Sequence, residues 1–307
     1  ETDPAVTGAV LAALRAKGEH TTEIQGFARA MRHLAVQPVI PEDGPPLVDT
    51  CGTGGDGSGS LNLSTAAALV CAAAGLRVVK HGNRSISSRA GSADVLEALG
   101  VPVVLGPEAA SAMLARTGFT FLFAPHYHPA MKAVMPVRRA MGVRTVFNIL
   151  GPLTNPVRPP HQVVGAFSLD AAKKMADALA GLHLVRGFVV HGAMGWDEAT
   201  PVGPFHLFDV RPGNVTHEVR DPQAVGISRC QASDLLGGDA ADNARALEAL
   251  LNGAPGAHRD AVCLSAGLAL EVTGVANSMA EGVRLAAAAL DEGRGAALLA
   301  SLRAEAV

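Results

Sequence analysis

The sequence predicts an α/β fold: a mainly parallel central sheet flanked by helices, with a small all-helical N-terminal domain. Three observations carry this expectation. Residues 5–35 are patterned for helix alone. From residue 47 onward, β-rich runs alternate with Ala- and Leu-rich helical runs. The first strand-like run, Leu47 and Val48, passes into a helix through DTCGTGGDGSGSLNLST (49–65), which holds Gly52, Gly54, Gly55, Gly57 and Gly59. Strands that alternate with helices build mainly parallel sheets, because each crossover helix returns the chain to the same end.

Taken in order, Val6, Val10, Ala13 and Leu14 precede a break at Gly18, and Ile24, Phe27, Ala28 and Met31 follow it. Each set has the spacing of one helix face. Two such helices are too few to bury a core alone, so a small domain or an interface is expected. The Pro/Gly-rich link VQPVIPEDGPP sets them off from LVDTCGTGG. Asn62, Ser64 and Thr65 open the alanine-rich helix AAALVCAAAGL, and VVKHG follows it as a strand. SADVLEALG reads as a helix closed by Gly100. VFNIL, QVVGAFS and GFVVHG read as strands, and residues 240–252 and 276–305 as helical.

The 307 residues, 49% hydrophobic, are enough for a large core. A net charge of −3 argues against general nucleic-acid binding, which needs clustered positive charge. Cys51, Cys71, Cys230 and Cys263 form no CxxC pair and no metal spacing. They read as thiols of a reducing, cytoplasmic compartment. No run reaches about 18 apolar residues, so no membrane span is expected. The polar start ETDPAV is not a signal peptide.

The chemistry concentrates in two loops. Glycines admit φ > 0 and close approach to a ligand. Inward amides beside a helix start form an anion site. Gly52, Gly54 and Gly57 also satisfy the GxGxxG spacing of a dinucleotide turn. That site, however, wants an acidic residue about 20 residues on, where this chain has Lys80-His81-Gly82-Asn83-Arg84. KHGNRSISSRAGS (80–92) adds Arg89 and the hydroxyls of Ser85, Ser87, Ser88 and Ser92. Lys acts as a point charge and Arg as a fork for phosphate oxygens. Ligands of open parallel sheets sit at the carboxyl ends of strands. The two loops therefore point to a multiply phosphorylated small molecule.

Asp197-Glu198 follows the strand GFVVHG. Adjacent carboxylates near a polyphosphate fit Mg²⁺, and a solvated turn fits the pair equally well. His81, His126, His128 and His191 read as loop residues that hydrogen-bond rather than as general bases. Asp170 and Asp177 read as helix-surface charges.

Together, GTGGDG (52–57), NLST (62–65), KHGNRSISSRAGSADVLEALG (80–100), APHYHPAM (124–131), VRRAMGVRTVFNILGPLTNP (137–156) and GWDEAT (195–200) resemble the anthranilate phosphoribosyltransferases. ALRAKGE (13–19) and GFARAMR (26–32) resemble their helical region. The resemblance covers nearly the whole chain. It implies a nucleoside phosphorylase-like, glycosyltransferase family 3 fold: a helical domain of residues 1–44, joined by about 129–150, beside an α/β domain of residues 45–307. It also implies a homodimer formed through the helical part, with 5-phosphoribosyl diphosphate, anthranilate and Mg²⁺ as ligands.

In that family the phosphoribosyl diphosphate site falls on Gly52, Gly55, Asp56, Ser60, Asn62, Leu63, Ser64 and Thr65. It continues over Lys80, His81, Gly82, Asn83, Arg84, Ser85, Ile86, Ser87, Ser88 and Ser92. Anthranilate falls on Gly52, Asn83 and Arg138, and the metal on Ser64, Asp197 and Glu198. The chain departs from the family where DGLDE is usual, with Met194-Gly195-Trp196 before the carboxylates. It also has Ser265 in Leu264-Ser265-Ala266-Gly267, where asparagine is usual. The implied reaction is attack of the anthranilate amine on ribose C1 as diphosphate leaves, catalysed by positioning rather than by an acid or base. Competing readings are a pyrimidine nucleoside phosphorylase, a non-catalytic nucleic-acid-binding relative and, last, an NAD dehydrogenase.

Overall fold

The computed structural model describes residues 3–41, 43–85 and 89–306. Helix α1 (Pro4–Lys17) starts where the Asp3 carboxylate accepts the Ala5 amide at 2.7 Å, and it ends at Gly18 with φ 84°. Helix α2 (Thr21–Leu34) starts at His20, whose amide donates to Glu23 Oε2 at 2.8 Å. Its buried residues are Ile24, Ala28 and Arg32, one per turn.

The described residues build a seven-stranded sheet in the order β3-β2-β1-β4-β5-β6-β7. Strands β1 (Leu47–Gly52), β2 (Arg77–Gly82), β3 (Phe119–Phe123), β4 (His161–Gly165) and β5 (Arg186–His191) run parallel. Strands β6 (Phe205–Arg211) and β7 (Asn214–Arg220) add an antiparallel hairpin. The sheet is thus mainly parallel, as expected. Helix α3 (Leu63–Ala73) links β1 to β2, and α4 (Ser92–Ala98) and α5 (Pro107–Thr117) lead to β3. Next come α6 (Ala124–Tyr127), α7 (Met131–Met141) and α8 (Phe147–Leu150), and α9 (Leu169–Ala180) joins β4 to β5. Helices α10 (Ala240–Leu251), α11 (Ala257–Val272), α12 (Met279–Asp291) and α13 (Arg294–Ala304) close the chain.

Side chains alternate faces along a strand, so the sheet divides two cores. Val48, Val78, Val163, Phe188 and Val190 face a core with α3 and α11. Val164, Val189 and Phe208 face the other, built on Met175 and Leu179 of α9. Leu11, Ile24, Ala28 and Val137 belong to that second core, so α1, α2 and α7 bury their apolar faces in continuity with the sheet.

One expected strand is corrected. VFNIL is not a strand: Phe147–Leu150 is helical. Val146, Ile149 and Leu150 are buried at i, i+3 and i+4, and the Asn148 side chain accepts the Thr145 amide at 2.9 Å. Residues 276–305 are helical as expected, in two helices parted at Gly293 with φ 75°. The strands β3, β6 and β7 had no counterpart in the reading of the sequence.

The chain runs from β1 outward to β2 and β3, then returns to β4 on the other side of β1. A crevice opens at such a switch in strand order. There Gly52 and Gly165 pair across β1 and β4 at their carboxyl ends, and the Asp197 segment crosses both. A Cβ on Gly165 would lie 1.5 Å from the Asp197 carbonyl oxygen, a backbone atom that cannot swing aside. Gly165→Ala should therefore lower the unfolding free energy by about 1–3 kcal/mol. Urea denaturation measures this, and wild-type stability would show that the Asp197 segment is free to move.

Candidate active site

The glycine loop leaves β1 with Gly54, Gly55, Gly57 and Gly59 at φ of 66°, 70°, 75° and 64°. L side chains disfavour that region, so the glycines are what let the loop wind back on itself. Asp56 ties its middle: Oδ1 accepts the Ser58 amide at 3.0 Å and the Ser58 hydroxyl at 2.9 Å. The loop then enters α3, whose Ser64 amide donates to Glu198 Oε1 at 2.9 Å.

The second loop lies alongside. Asp94 of α4 accepts the amides of Ser85 and Gly91 at 3.0 and 2.8 Å, which folds the segment after β2 back toward the cleft. Lys80 and His81 belong to β2 rather than to a loop. Lys80 is buried, and its Nζ donates to the Thr50 carbonyl at 2.6 Å and to Ser64 Oγ at 3.4 Å. Burial lowers its pKa, opposed mainly by Asp49. Asp49 is pushed up to about 6 by the same burial, although Asn155 donates to it at 2.9 Å.

Gly52, Gly55, Asp56, Ser60, Asn62, Ser64 and Thr65 line one cleft of ≈ 620 Å³. Lys80, His81, Gly82, Asn83, Arg84, Ser85 and Ser92 line the same cleft, as do Asp197 and Glu198. Leu63 does not, since its side chain is in the core. Arg84 is turned aside: its Nη2 donates to Glu97 at 2.6 Å and its Nη1 to Asp94 at 3.1 Å. Arg138 also lies apart, half-buried on α7 with its guanidinium 5.3 Å over the Phe147 ring. Ile86, Ser87 and Ser88 lie outside the described residues.

Three carboxylates meet at the back of the cleft. Asp197 Oδ2 accepts the Gly54 amide at 2.6 Å, and the Asp197 amide donates to Asp56 Oδ2 at 3.2 Å. Burial, then the Asp56 charge, pushes the Asp197 carboxyl up to about 7. Burial and Asp197 together raise Glu198 well above the carboxylate range. Trp196 anchors this turn in the core, and Met194 takes up the strain at φ 60°. Ser265 of α11 lines a ≈ 20 Å³ cavity beneath Ser64, Asp197 and Glu198.

Several contributors were missed in the sequence. Asn243 of α10 donates to Asn62 Oδ1 at 2.9 Å, and Thr53 Oγ1 lies 3.4 Å from Asp197. Arg144 donates to the Gly55 carbonyl at 2.6 Å and stacks 4.2 Å over Phe167. Arg15 of α1 in turn donates to the Arg144 carbonyl. Thr53 in GTGGDG, Arg144 in VRRAMGVRTVFNIL and Arg15 in ALRAKGE carried a signal, and Asn243 carried none.

A phosphate-shaped cleft at the switch point of an α/β sheet, with helices packed on its far face, defines a class. Residues 44–296 match the α/β domain of a glycosyl transferase family, and residues 1–35 match the family's helical bundle domain. The chain belongs to this glycosyl transferase family. It is 52% identical over 293 residues to the anthranilate phosphoribosyltransferase of Desulforudis audaxviator, covering 95% of this chain and 84% of that one. It is 50% identical to that of Solibacter usitatus, over 98% and 89%. The crystal structure of the Thermus thermophilus enzyme superposes with a TM-score of 0.93 at 45% identity, over 100% and 91%. The Saccharomyces cerevisiae enzyme in complex with PRPP and Mg gives 0.90 at 26%, over 99% and 85%. Within its family the chain is a member of the anthranilate phosphoribosyltransferases, pentosyltransferases of tryptophan biosynthesis.

His81 lies at the floor of the cleft, its ring edge-on to His128 with centroids 5.0 Å apart. Burial, then the His128 ring, holds the His81 imidazole down to about 3. The unfolded chain binds that proton near pH 6.5, so it holds more protons than the native state between about pH 3 and 6.5. This contribution to stability is complete above pH 6.5 and is lost as pH falls toward 3, by up to about 1.4 kcal/mol per pH unit. The raised Asp49, Asp197 and Glu198 carboxyls act in the opposite sense in both proteins. The unfolding free energy of His81→Gln should therefore rise relative to wild type as pH falls from 7 to 5. Parallel wild-type and variant curves would place the imidazole in water.

Proposed function

We propose that this cleft transfers the 5-phosphoribosyl group of phosphoribosyl diphosphate to the amine of anthranilate and releases diphosphate. One observation carries the reading. The glycine loop, the start of α3, the loop after β2 and a buried carboxylate pair converge on a single cleft at the switch point. Relatives of this chain have been solved with PRPP and Mg and with 4-fluoroanthranilate.

Loop amides from Gly52 to Ser60, with the hydroxyls of Ser64 and Thr65, cradle the diphosphate and ribose phosphate. Asn83 and Ser92 hold the ribose side. Lys80 supplies positive charge from beneath, through the strand floor rather than by direct reach. Anthranilate presents a neutral amine, so orientation replaces a base, and holding two reactants in register can supply roughly 7–11 kcal/mol. Arg138 takes the anthranilate carboxylate, and its distance from the cleft requires α7 to close down on the bound substrates. Arg144, bonded to the glycine loop, guides that approach.

Among the described residues, no three His, Cys, Asp or Glu side chains form a closed metal cage. Mg²⁺ does not need one, since it is commonly held by one or two carboxylates with substrate phosphates and water. Asp197 and Glu198, with Ser64, fit that role: hard oxygen donors whose mutual repulsion and burial a divalent cation offsets. Bound there, Mg²⁺ supplies charge neutralisation to the departing diphosphate.

We assign residues 1–44, with about 129–150, to the helical domain and 45–307 to the α/β domain. Val6 and Val10, one turn apart on α1, are exposed and are offered as part of a homodimer contact. Free cysteines at 51, 71, 230 and 263 fit a reducing, cytoplasmic setting. No helix among the described residues is long and apolar enough to cross a membrane.

Anthranilate fluorescence tests the function: it should fall only with protein, phosphoribosyl diphosphate and Mg²⁺ all present. Fluorescence that stays constant with folded protein refutes the assignment. In this assay Asp197→Asn with Glu198→Gln should shift the Mg²⁺ dependence to higher concentration, and an unchanged titration removes the pair as ligands. Arg138→Ala should raise the KM for anthranilate about tenfold or more, the worth of a charged hydrogen bond. Its KM for phosphoribosyl diphosphate should hardly move, and equal effects on both would sink its role.

A further inference from the structure

A second positively charged cavity lies at the opposite end of the sheet. It occupies ≈ 320 Å³ between α2, the link before β4 and the turn after α9, and is lined by Arg29, Arg32, His33, Arg158, Leu182 and His183 with Gly181. No Asp or Glu is among these lining residues. Its walls precede the starts of β4 and β5, whereas the catalytic cleft opens at the strands' carboxyl ends.

Arg32 is 3% exposed, and its Nη2 is buried without a hydrogen-bond partner, while Nε donates to the Leu153 carbonyl at 2.7 Å. Arg158 also has a buried, unpartnered Nε, and its Nη2 lies 3.5 Å from the Arg32 carbonyl. The backbone at Arg158 has φ 53°, a conformation that costs an L residue energy. Arg29 donates to the Gly181 carbonyl at 2.8 Å and keeps the rest of its fork at the rim. Burial, and then the Arg158 charge, pulls the Arg32 guanidinium down to about 10. The buried Arg32 guanidinium and the half-buried Arg158 side chain thus line one cavity with unused donors and no Asp or Glu in its lining. Buried charges are ordinarily paired, and planar Arg forks match the oxygens of phosphate in pairs.

We propose that this cavity is a binding site for a phosphate-bearing anion, separate from the catalytic cleft and seated where the helical part meets the sheet. Arg32 and Arg158 form its floor and Arg29 its rim, with His33 and His183 beside the opening.

The test is equilibrium binding of inorganic phosphate at constant ionic strength, with thermal unfolding followed in parallel. Wild type is compared with Arg158→Gln and with Arg29→Gln, whose exposed position makes it safe for folding. The catalytic loops also take phosphate and are intact in both variants, so the loss relative to wild type reads this cavity alone. Each variant should bind one phosphate fewer per chain, or bind it at least tenfold more weakly, and should lose part of the phosphate-induced rise in Tm. Equal binding and equal Tm rise in all three proteins would overturn the proposal and leave the arginines as structural groups. Glucose 6-phosphate, run in the same way, separates the sources. If wild type prefers it and the variants lose that preference, the occupant is a phosphate monoester. If wild type prefers inorganic phosphate with the same loss, the occupant is the free ion. Both results support the site.

Discussion

Asp197 fastens the glycine loop to the sheet by accepting the Gly54 amide at 2.6 Å while its own backbone lies across the ends of β1 and β4. That crossing is open only because Gly52 and Gly165 carry no side chains. The same carboxylate is buried beside Asp56 and Glu198, so the geometry that shapes the loop also gathers negative charge beneath it. Lys80 is the buried cation nearest that charge, held under Ser64 by the Thr50 carbonyl. Loop shape and charge balance are therefore one constraint. Moving any of these groups changes both the cradle for the phosphates and the field at its back.

The helical part reaches the glycine loop through arginine side chains that donate to backbone carbonyls. Arg15 reaches the Arg144 carbonyl, and Arg144 reaches the Gly55 carbonyl. This chain of contacts ties α1 to the glycine loop. It makes α7 and its neighbours a natural source for the second substrate's contacts.

What was legible in the sequence was local. GTGGDG, NLST and KHGN each occupy a few consecutive residues whose spacing alone implies amides, hydroxyls and charge in one place, and all but Thr53 and Leu63 of these residues line the cleft. VFNIL misled because a short apolar run fits strand and helix alike, and Asn148 folding back on Thr145 decides for helix. Arg84 sits in a phosphate-loop motif, yet Glu97, thirteen residues on, claims its fork. Asn243 was invisible from Asn62 because 181 residues separate the two. Arg32 entered the reading only as the last residue of GFARAMR and Arg158 not at all, and the Leu153 carbonyl that accepts from Arg32 lies 121 residues on.

The continuity of the second core has a consequence for how the chain is made. Gln25 of α2 reaches the Asp177 carbonyl of α9 across 152 positions, and Ile24 and Ala28 share a core with Met175 and Leu179. Helix α2 thus cannot complete its packing until α9, 152 positions later, has followed. Contacts of such long sequence separation are slow to form, and domains emerging during synthesis expose what they cannot yet bury. Helix α2 is therefore made well before the segment it packs against and settles only after it. In the interval its apolar face, with Ile24 and Ala28, is a target for chaperones that shield short amphipathic helices.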